Sequence, residues 1–340
     1  MGNMNQVEIA RKLKISQTTV SLVLNNPSTS KVSKEKRQKI MDMMRDSNYL
    51  LKAHNGKTWN IGYVLGSRFN ISNSFYNRFF KGIQEVASEA GYNVIVDNVD
   101  IRTSKLIIHR KVDGIILEDK LDIKTLNDLT RKIPLVVLND SIWENICDSV
   151  VPDNQGGIIK ALDHLIGHGH SRIAFLGILP PDKKIDGLLK DRKNVFENEL
   201  SSRGFPINRN FIKMSAIKTV SVEETKKTIF EILVSWMALS EAPTAVICSN
   251  DFYGALLLQA AILEKIKVPD ALSVIGIDNT DRCECTHPTL TSIDHNAVEM
   301  GRLAVELLLN RIRNADRSFV RVSCASSLFI RKSSGPLKIK

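Results

Sequence analysis

Residues 7–26 read VEIARKLKISQTTVSLVLNN, and their spacing decides the N-terminal fold. Ile9, Ala10 and Leu13 share one helical face, and Asn5 with Glu8 three positions on forms a capping-box pattern. A tight turn at Lys14-Ile15 follows. Ser16 caps a second short helix, whose buried stripe is Val20, Val23 and Leu24. Its first turn leaves Gln17, Thr18 and Thr19 facing outward, and Leu22 falls on the wet face. NNPSTSKV (25–32) reads as a loop. Ser33 caps a third helix in KEKRQKIMDMMRDSNY (34–49), where Ile40, Met43 and Met44 close a small core. Helix, tight turn, helix and a supporting helix is the helix-turn-helix plan, in which the second helix enters the DNA major groove tip first. Short polar side chains at that tip can meet base edges and phosphates.

Charge agrees with that reading. The net charge is +10, and residues 1–60 carry eleven Lys or Arg against four acids, a surplus of seven. A compact basic segment on a nearly neutral body is the footprint of a nucleic-acid module. The 340 residues are 43% hydrophobic, enough for two or three folded domains and unlike a disordered chain. No apolar run reaches the length of a membrane span, and the first sixteen residues lack an apolar signal core. Five scattered cysteines suit a reducing compartment, so a cytoplasmic protein is expected.

LLKAHNGKTWN (50–60) reads as a linker, with Trp59 as an anchor on the next domain. From Ile61 the rhythm becomes β-α. Strands such as IGYVLG, VDGIIL, IPLVVLN, RIAFLG, TAVICSN and LSVIGID are continuous apolar runs separated by amphipathic helices. Such runs predict parallel sheets covered on both faces, and about ten units predict two doubly wound lobes rather than one sheet. Two lobes facing each other across the carboxyl ends of their strands form a ligand cleft.

In this order, VEIARKLKISQTTVSLVLNN, VSKEKRQKIMDMMRDSNY, ISNSFYNRFFKGIQEVASEAGYNVIV, VPDNQGG, HLIGHGHSRIAFLG, AVICSNDFYGALLLQA, VPDALSVIGID and MGRLAVELLLNRI resemble the LacI/GalR family of bacterial transcription regulators nearly end to end. The resemblance implies an α/β chain: an N-terminal helix-turn-helix three-helix domain followed by two doubly wound parallel-sheet lobes of periplasmic-binding-protein type. The expected division is a DNA-binding domain at 1–49, a shortened linker or hinge at 50–60, and a two-lobed body at 61–340. Within the body, the N-lobe takes about 61–158 plus 293–320, and the C-lobe about 159–292 plus 321–332. Gln17 and Thr18 match base-contacting positions, and Ser16, Thr19, Ser21 and Asn25 match phosphate-contacting ones, which set register. Leu22 stands where many members carry a guanine-reading arginine; it can offer only an apolar contact, to a thymine methyl, or pack. Lys14 replaces the usual turn glycine. Between Tyr49 and Ile61 the chain is about five residues shorter than the family pattern, and the residues that form its hinge helix are absent. The stretch between Asp97 and Val112 is also shortened. In the cleft, Phe75 and Tyr76 match positions that lean on the ligand ring; Arg192, Asn250 and Asp278 match positions that hydrogen-bond it. His295 is a further candidate near the lobe crossover. An aromatic wall with Arg as donor, Asp as acceptor and Asn as both suits a sugar.

The resemblance thus implies a homodimeric, sequence-specific regulator, a repressor, of a double-stranded operator, whose grip a small carbohydrate modulates; no cofactor, no metal, no catalysis and no membrane partner are expected. The alternative is a regulator dependent on a corepressor: a phosphorylated metabolite, a nucleobase or a protein. A sugar-transport protein is disfavoured by the basic head. His164, His168 and His170 lack an acid or cysteine that would complete a metal set, and the Cys283, Cys285, His287 trio has no second Cys/His pair near in sequence.

Overall fold

The helix-turn-helix pattern becomes three helices, α1 (Gln6–Leu13), α2 (Gln17–Asn25) and α3 (Lys34–Asp46). The computed structural model describes residues 6–25, 31–46, 57–66, 74–98, 100–118, 121–140, 146–179, 187–219 and 221–338. The head's core is Ile9, Ala10, Val20, Val23, Val32 and Ile40. Ser16 Oγ accepts from Thr19 N at 3.1 Å and Ser33 Oγ from Lys36 N at 3.4 Å, the two caps expected from the sequence. Asn5 lies outside the described residues.

Lys14 sits in the turn at φ 52°, where a side chain crowds the following carbonyl. Ile15 N bonds Ala10 O at 3.0 Å across it, closing the end of α1. Lys14→Gly is therefore expected to stabilise the head by about 1 kcal/mol, the usual left-handed penalty. Slower amide exchange at Val20 and Ile40 would register it; faster exchange would refute it.

The body alternates strands and helices because apolar runs of four to seven residues are flanked by amphipathic stretches. Its first part is β1 (Asn60–Leu65), α4 (Ser74–Glu89), β2 (Asn93–Asn98), β3 (Gly114–Glu118), α5 (Ile123–Thr130), β4 (Leu135–Leu138) and β5 (Asp148–Pro152). The second is α6 (Asn154–Gly167), β6 (Ile173–Leu179), α7 (Gly187–Ser202), β7 (Ile212–Ala216), α8 (Val222–Met237), β8 (Ala245–Cys248), α9 (Asp251–Leu263), β9 (Ser273–Ile277) and β10 (Thr291–Asp294). The chain then returns through α10 (Ala297–Arg313), β11 (Arg321–Cys324) and β12 (Ser327–Phe329). Two six-stranded sheets result, ordered β11-β5-β4-β3-β1-β2 and β12-β10-β9-β8-β6-β7. All ladders are parallel except β10 with β12.

The strand pairing shifts the lobe boundaries expected from sequence. β10 pairs with β9, so residues 293 and 294 belong to the second lobe rather than to the first. β11 pairs with β5, so 321–324 belong to the first lobe. α6 packs on β10, β12 and α7, so the first crossing lies at Asp153 rather than at 158. The other crossings lie at 295–296 and 325–326. β11 and β12 are only four and three residues long, too short for a periodicity to assign. The expected linker lies outside the described residues up to 56. From Lys57 the chain is held: Asp113 accepts from Thr58 N at 2.6 Å and from Trp59 N at 3.0 Å, and the Trp59 ring packs 5.2 Å from Tyr92. Trp59 is thus an anchor on the body.

In the first lobe α4 and α10 meet backbone to backbone. A Cβ on Gly82 would lie 1.9 Å from Val298 O, and one on Gly301 2.2 Å from Phe79 O, so only glycine permits this approach. That packing fixes α4, whose first turn carries Phe75 and Tyr76 into the space between the lobes.

Candidate functional site

Two surfaces carry the residues singled out from sequence. On the head, Ser16, Gln17 and Thr18 are exposed at the tip of α2, and Thr19 and Ser21 are half-buried. Ser16 Oγ and Thr19 Oγ1 lie 2.8 Å apart, so the cap also fixes the Thr19 hydroxyl. Asn25 ends α2; its side chain lies outside the described part of the structure. Leu22 is half-buried and packs on the head's core rather than standing free. It also lines a shallow surface groove with Ser16, Thr18, Lys31 and Lys36. Lys31 and Lys36, at the start of α3, were not singled out from sequence; the basic run there was the available signal.

The second surface is a cavity of about 430 Å³ at the carboxyl ends of the strands of both sheets. Phe75, Tyr76, Arg192, Asn250 and Asp278 all line it. Phe75 and Tyr76 meet edge to face at 5.5 Å, and Phe252 lies under the Arg282 guanidinium at 5.1 Å, so two aromatic groups wall the space. Asn250 caps α9, its Oδ1 accepting from Tyr253 N at 2.9 Å, which leaves its amide NH2 as the group free of the cap. His295 does not line the cavity. It stands behind Arg192.

Arg192 is almost fully buried. Its Nε donates to Asn154 Oδ1 at 3.0 Å, Nη1 to Ser249 O at 2.6 Å and Nη2 to His295 Nε2 at 3.1 Å. Since guanidinium can only donate, His295 Nε2 accepts and its proton sits on Nδ1. That N–H donates to Ser326 Oγ at 2.7 Å, and the Ser326 hydroxyl donates to Asp153 O at 2.9 Å. Burial, followed by the Arg192 charge, holds His295 well below its ordinary pKa, so it stays neutral. Asp153, His295 and Ser326 mark the three crossings between the lobes. The cavity's arginine is therefore joined by three hydrogen bonds in series to the hinge.

Carboxyl groups dominate the polar lining. Asp278 Oδ1 lies 3.6 Å from Arg192 Nη2, but it is buried and accepts no hydrogen bond among the described residues. Burial pushes Asp278 up to about 7, against the pull of Arg192. Its backbone is strained, at φ 103°. Glu118, at the end of β3, accepts from Tyr63 Oη at 2.9 Å and from Asn139 Nδ2 at 3.0 Å. Burial raises it to about 8. Asn139 Oδ1 is a second buried acceptor with no partner among the described residues. Asp251 is buried and accepts from Thr280 N at 2.6 Å, Thr280 Oγ1 at 2.9 Å and Ser292 Oγ at 2.5 Å, and burial raises its pKa.

Sequence reasoning missed Glu118, Asn139 and Asp251. The available signal was positional: each stands at or just beyond the end of a buried strand, where such sheets bind ligands. Arg78 was missed too. From α4 it donates to Asp278 O at 2.9 Å, Asn279 O at 3.0 Å and both Asp294 oxygens at 3.0 and 3.1 Å, clamping the first lobe to the second.

His170 bonds Thr244 Oγ1 and Gly335 O, each at 3.0 Å, and His164 Nε2 bonds Ser334 Oγ at 2.9 Å. Cys283 is in the second lobe's core while Cys285 is exposed. Among the described residues no helix is long and apolar enough to cross a membrane.

Comparison with known proteins matches residues 7–50 to the family model for bacterial regulatory proteins of the lacI family, and 162–334 to a periplasmic binding protein-like domain. The HTH-type transcriptional regulator DegA of Bacillus subtilis is 29% identical over 345 residues, covering 97% of this chain and 98% of that protein. The HTH-type transcriptional repressor PurR of Photobacterium profundum is 26% identical, covering 96% and 97%. Among solved structures, the lac repressor dimer bound to operator and the anti-inducer ONPF superposes with TM-score 0.71 at 20% identity, covering 98% and 99%. A LacI family regulator from Enterococcus faecium with bound ribose superposes with TM-score 0.67 at 25% identity, covering 82% and 100%.

Proposed function

This chain belongs to the LacI family of bacterial regulatory proteins, DNA-binding transcriptional regulators, and from that premise we propose that it is a homodimeric repressor whose operator affinity is set by a neutral carbohydrate in the cleft. The observation that carries the carbohydrate reading is the excess of acceptors around an aromatic wall. Asp278 Oδ1 and Asn139 Oδ1 are buried acceptors awaiting donors, which hydroxyl groups supply. Glu118, Asp251 and Asp278 line the same space, and burial favours their neutral forms, which can donate as well as accept, as a hydroxylated ligand requires. A cavity of about 430 Å³ is of ligand size. The Enterococcus faecium relative carries ribose in its structure, in keeping with this reading.

A nucleobase is the second reading, favoured by the aromatic wall and by the similarity to PurR. A thermal-shift panel of neutral sugars, sugar phosphates and nucleobases separates the two, since a ligand selective for the native state raises its melting temperature. Stabilisation by a neutral sugar is expected; stabilisation by a phosphate or nucleobase alone would overturn the carbohydrate assignment.

The mechanism follows from the bond series. A ligand that engages Arg192 and Asp278 competes for the guanidinium that holds His295, and His295 ties the three crossings together. Closure of the lobes then alters the spacing of the two heads, by no more than the ligand's preference for one state over the other. On the head, Gln17 and Thr18 are the base readers, with Ser16, Thr19, Ser21 and Asn25 on phosphates. Leu22 packs, and its outer edge is available to a thymine methyl. Leu22→Arg is expected to change base preference at one position per half-site, seen by binding-site selection. Unchanged preference would show that Leu22 only packs.

A further inference from the structure

A groove larger than the ligand cleft lies elsewhere on the body. It lies at the opposite, amino-terminal ends of β1, β3 and β4, and encloses about 1090 Å³. Its rim carries Lys57, Arg102, Arg110, Arg131 and Lys132. The acids there are Asp113 and Asp128. Asp113 is occupied by the Thr58 and Trp59 amides, and Asp100 pairs with Arg102 at 2.5 Å. Arg110, Arg131 and Lys132 are exposed and take part in no ion pair among the described residues. Lys57 lies over the Trp59 ring at 5.1 Å and so projects at the very point where the chain enters the body. α3 ends at Asp46, so ten residues, about 35 Å when extended, separate the head from Lys57. The linker adds Lys52 and no acid.

We propose that this cationic face of the first lobe is a second duplex-binding surface, which grips the DNA backbone beside the site held by the head. It rests on the duplex-binding reading above and adds a grip from the body itself. Three facts single out a polyphosphate partner. Three of the rim's five cations, Arg110, Arg131 and Lys132, form no ion pair among the described residues. The tether is short and basic, so the face is held close to whatever the head binds. The apolar floor offers no base-reading groups, so the surface positions the duplex without specifying sequence. A phosphate backbone rewards such an arrangement through counterion release.

The test uses the full chain and a labelled random-sequence duplex of about 40 base pairs, with affinity followed from about 50 to 200 mM salt. Removing one cation that neutralises a phosphate makes the slope of log affinity on log salt shallower by about 0.9, so Arg131→Gln/Lys132→Gln should lower it by about 2 per protomer. Arg110→Gln alone should lower it by about 1, which guards against a misfolded double variant. The charge-matched control Lys227→Gln/Lys267→Gln, on the second lobe, should leave it unchanged. An unchanged slope in the groove variants, with wild-type binding intact, overturns the proposal but not the regulator reading; absence of any salt-sensitive binding by the wild type sinks both. A melting-temperature rise with inorganic pyrophosphate that the double variant loses, at unchanged slope, would make the groove a small-anion site and overturn the duplex assignment.

Discussion

Arg192→Ala is expected to lower the melting temperature of the body by about 10 °C and to remove the response to any cleft ligand. The guanidinium is buried, and its loss strands Asn154 Oδ1, Ser249 O and His295 Nε2 while leaving Asp278 without its nearest cation. Each buried acceptor left unsatisfied costs about 1–3 kcal/mol, so the three together account for a loss of several kcal/mol. The same change breaks the series from cavity to hinge, so a sugar that stabilises the wild type should neither stabilise the variant nor change its operator affinity. Arg192→Lys separates the two effects: it keeps the charge beside Asp278 but cannot reach three acceptors from one fork. A variant that melts like the wild type and still responds to the sugar would remove Arg192 from the account.

The second large effect is on pH dependence. Glu118 is fully buried, and burial lifts it from an ordinary 4.5 to about 8; Asp278 rises to about 7 for the same reason. Each native carboxyl holds its proton more tightly than its unfolded counterpart. Between their unfolded and folded values the native state binds more protons, so stability falls as pH rises. Glu118 therefore contributes fully below about pH 4.5, and its contribution is gone above about pH 8. Between pH 6 and 8.5 the loss is on the order of 3 kcal/mol, with Asp278 adding about 1 kcal/mol. Urea unfolding at the two pH values measures it. Glu118→Gln, which keeps an acceptor for Tyr63 but cannot ionise, should flatten the dependence. A variant as steep as the wild type would show that Glu118 ionises normally in its site.

Much of this molecule is written in local pattern. The three head helices are legible because caps at Ser16 and Ser33 and stripes such as Val20 and Val23 are short-range signals. The lobes are legible because strands like IAFLG are buried on both faces and so are apolar throughout. β7 is not, since IKMSA is a half-exposed edge strand that carries a lysine. The crossing points are not, since β11 and β12 are set by pairing with strands far away in sequence. In the cleft, the structure brings the aromatic pair, Arg192, Asn250 and Asp278 together on one lining. Glu118 reads in sequence as one charge in the polar stretch EDK; only the sheet shows it buried beneath Tyr63 and Asn139. His295 stands one step further from the ligand space than its sequence position suggests: sequence places it at the crossing but cannot show Arg192 in front of it. Helical spacing alone puts Leu22 on the wet face, and packing against the head's core draws it half inside.

The central claim is that occupancy of the cleft controls the grip of the head. Its most direct test is the affinity of the full chain for a duplex obtained by binding-site selection, measured with and without each neutral sugar that raises the melting temperature. A change of about fivefold or more, the usual lower range of allosteric coupling, is expected for at least one such sugar, and none for Arg192→Ala. Affinity that stays constant while a sugar demonstrably occupies the cleft would contradict it.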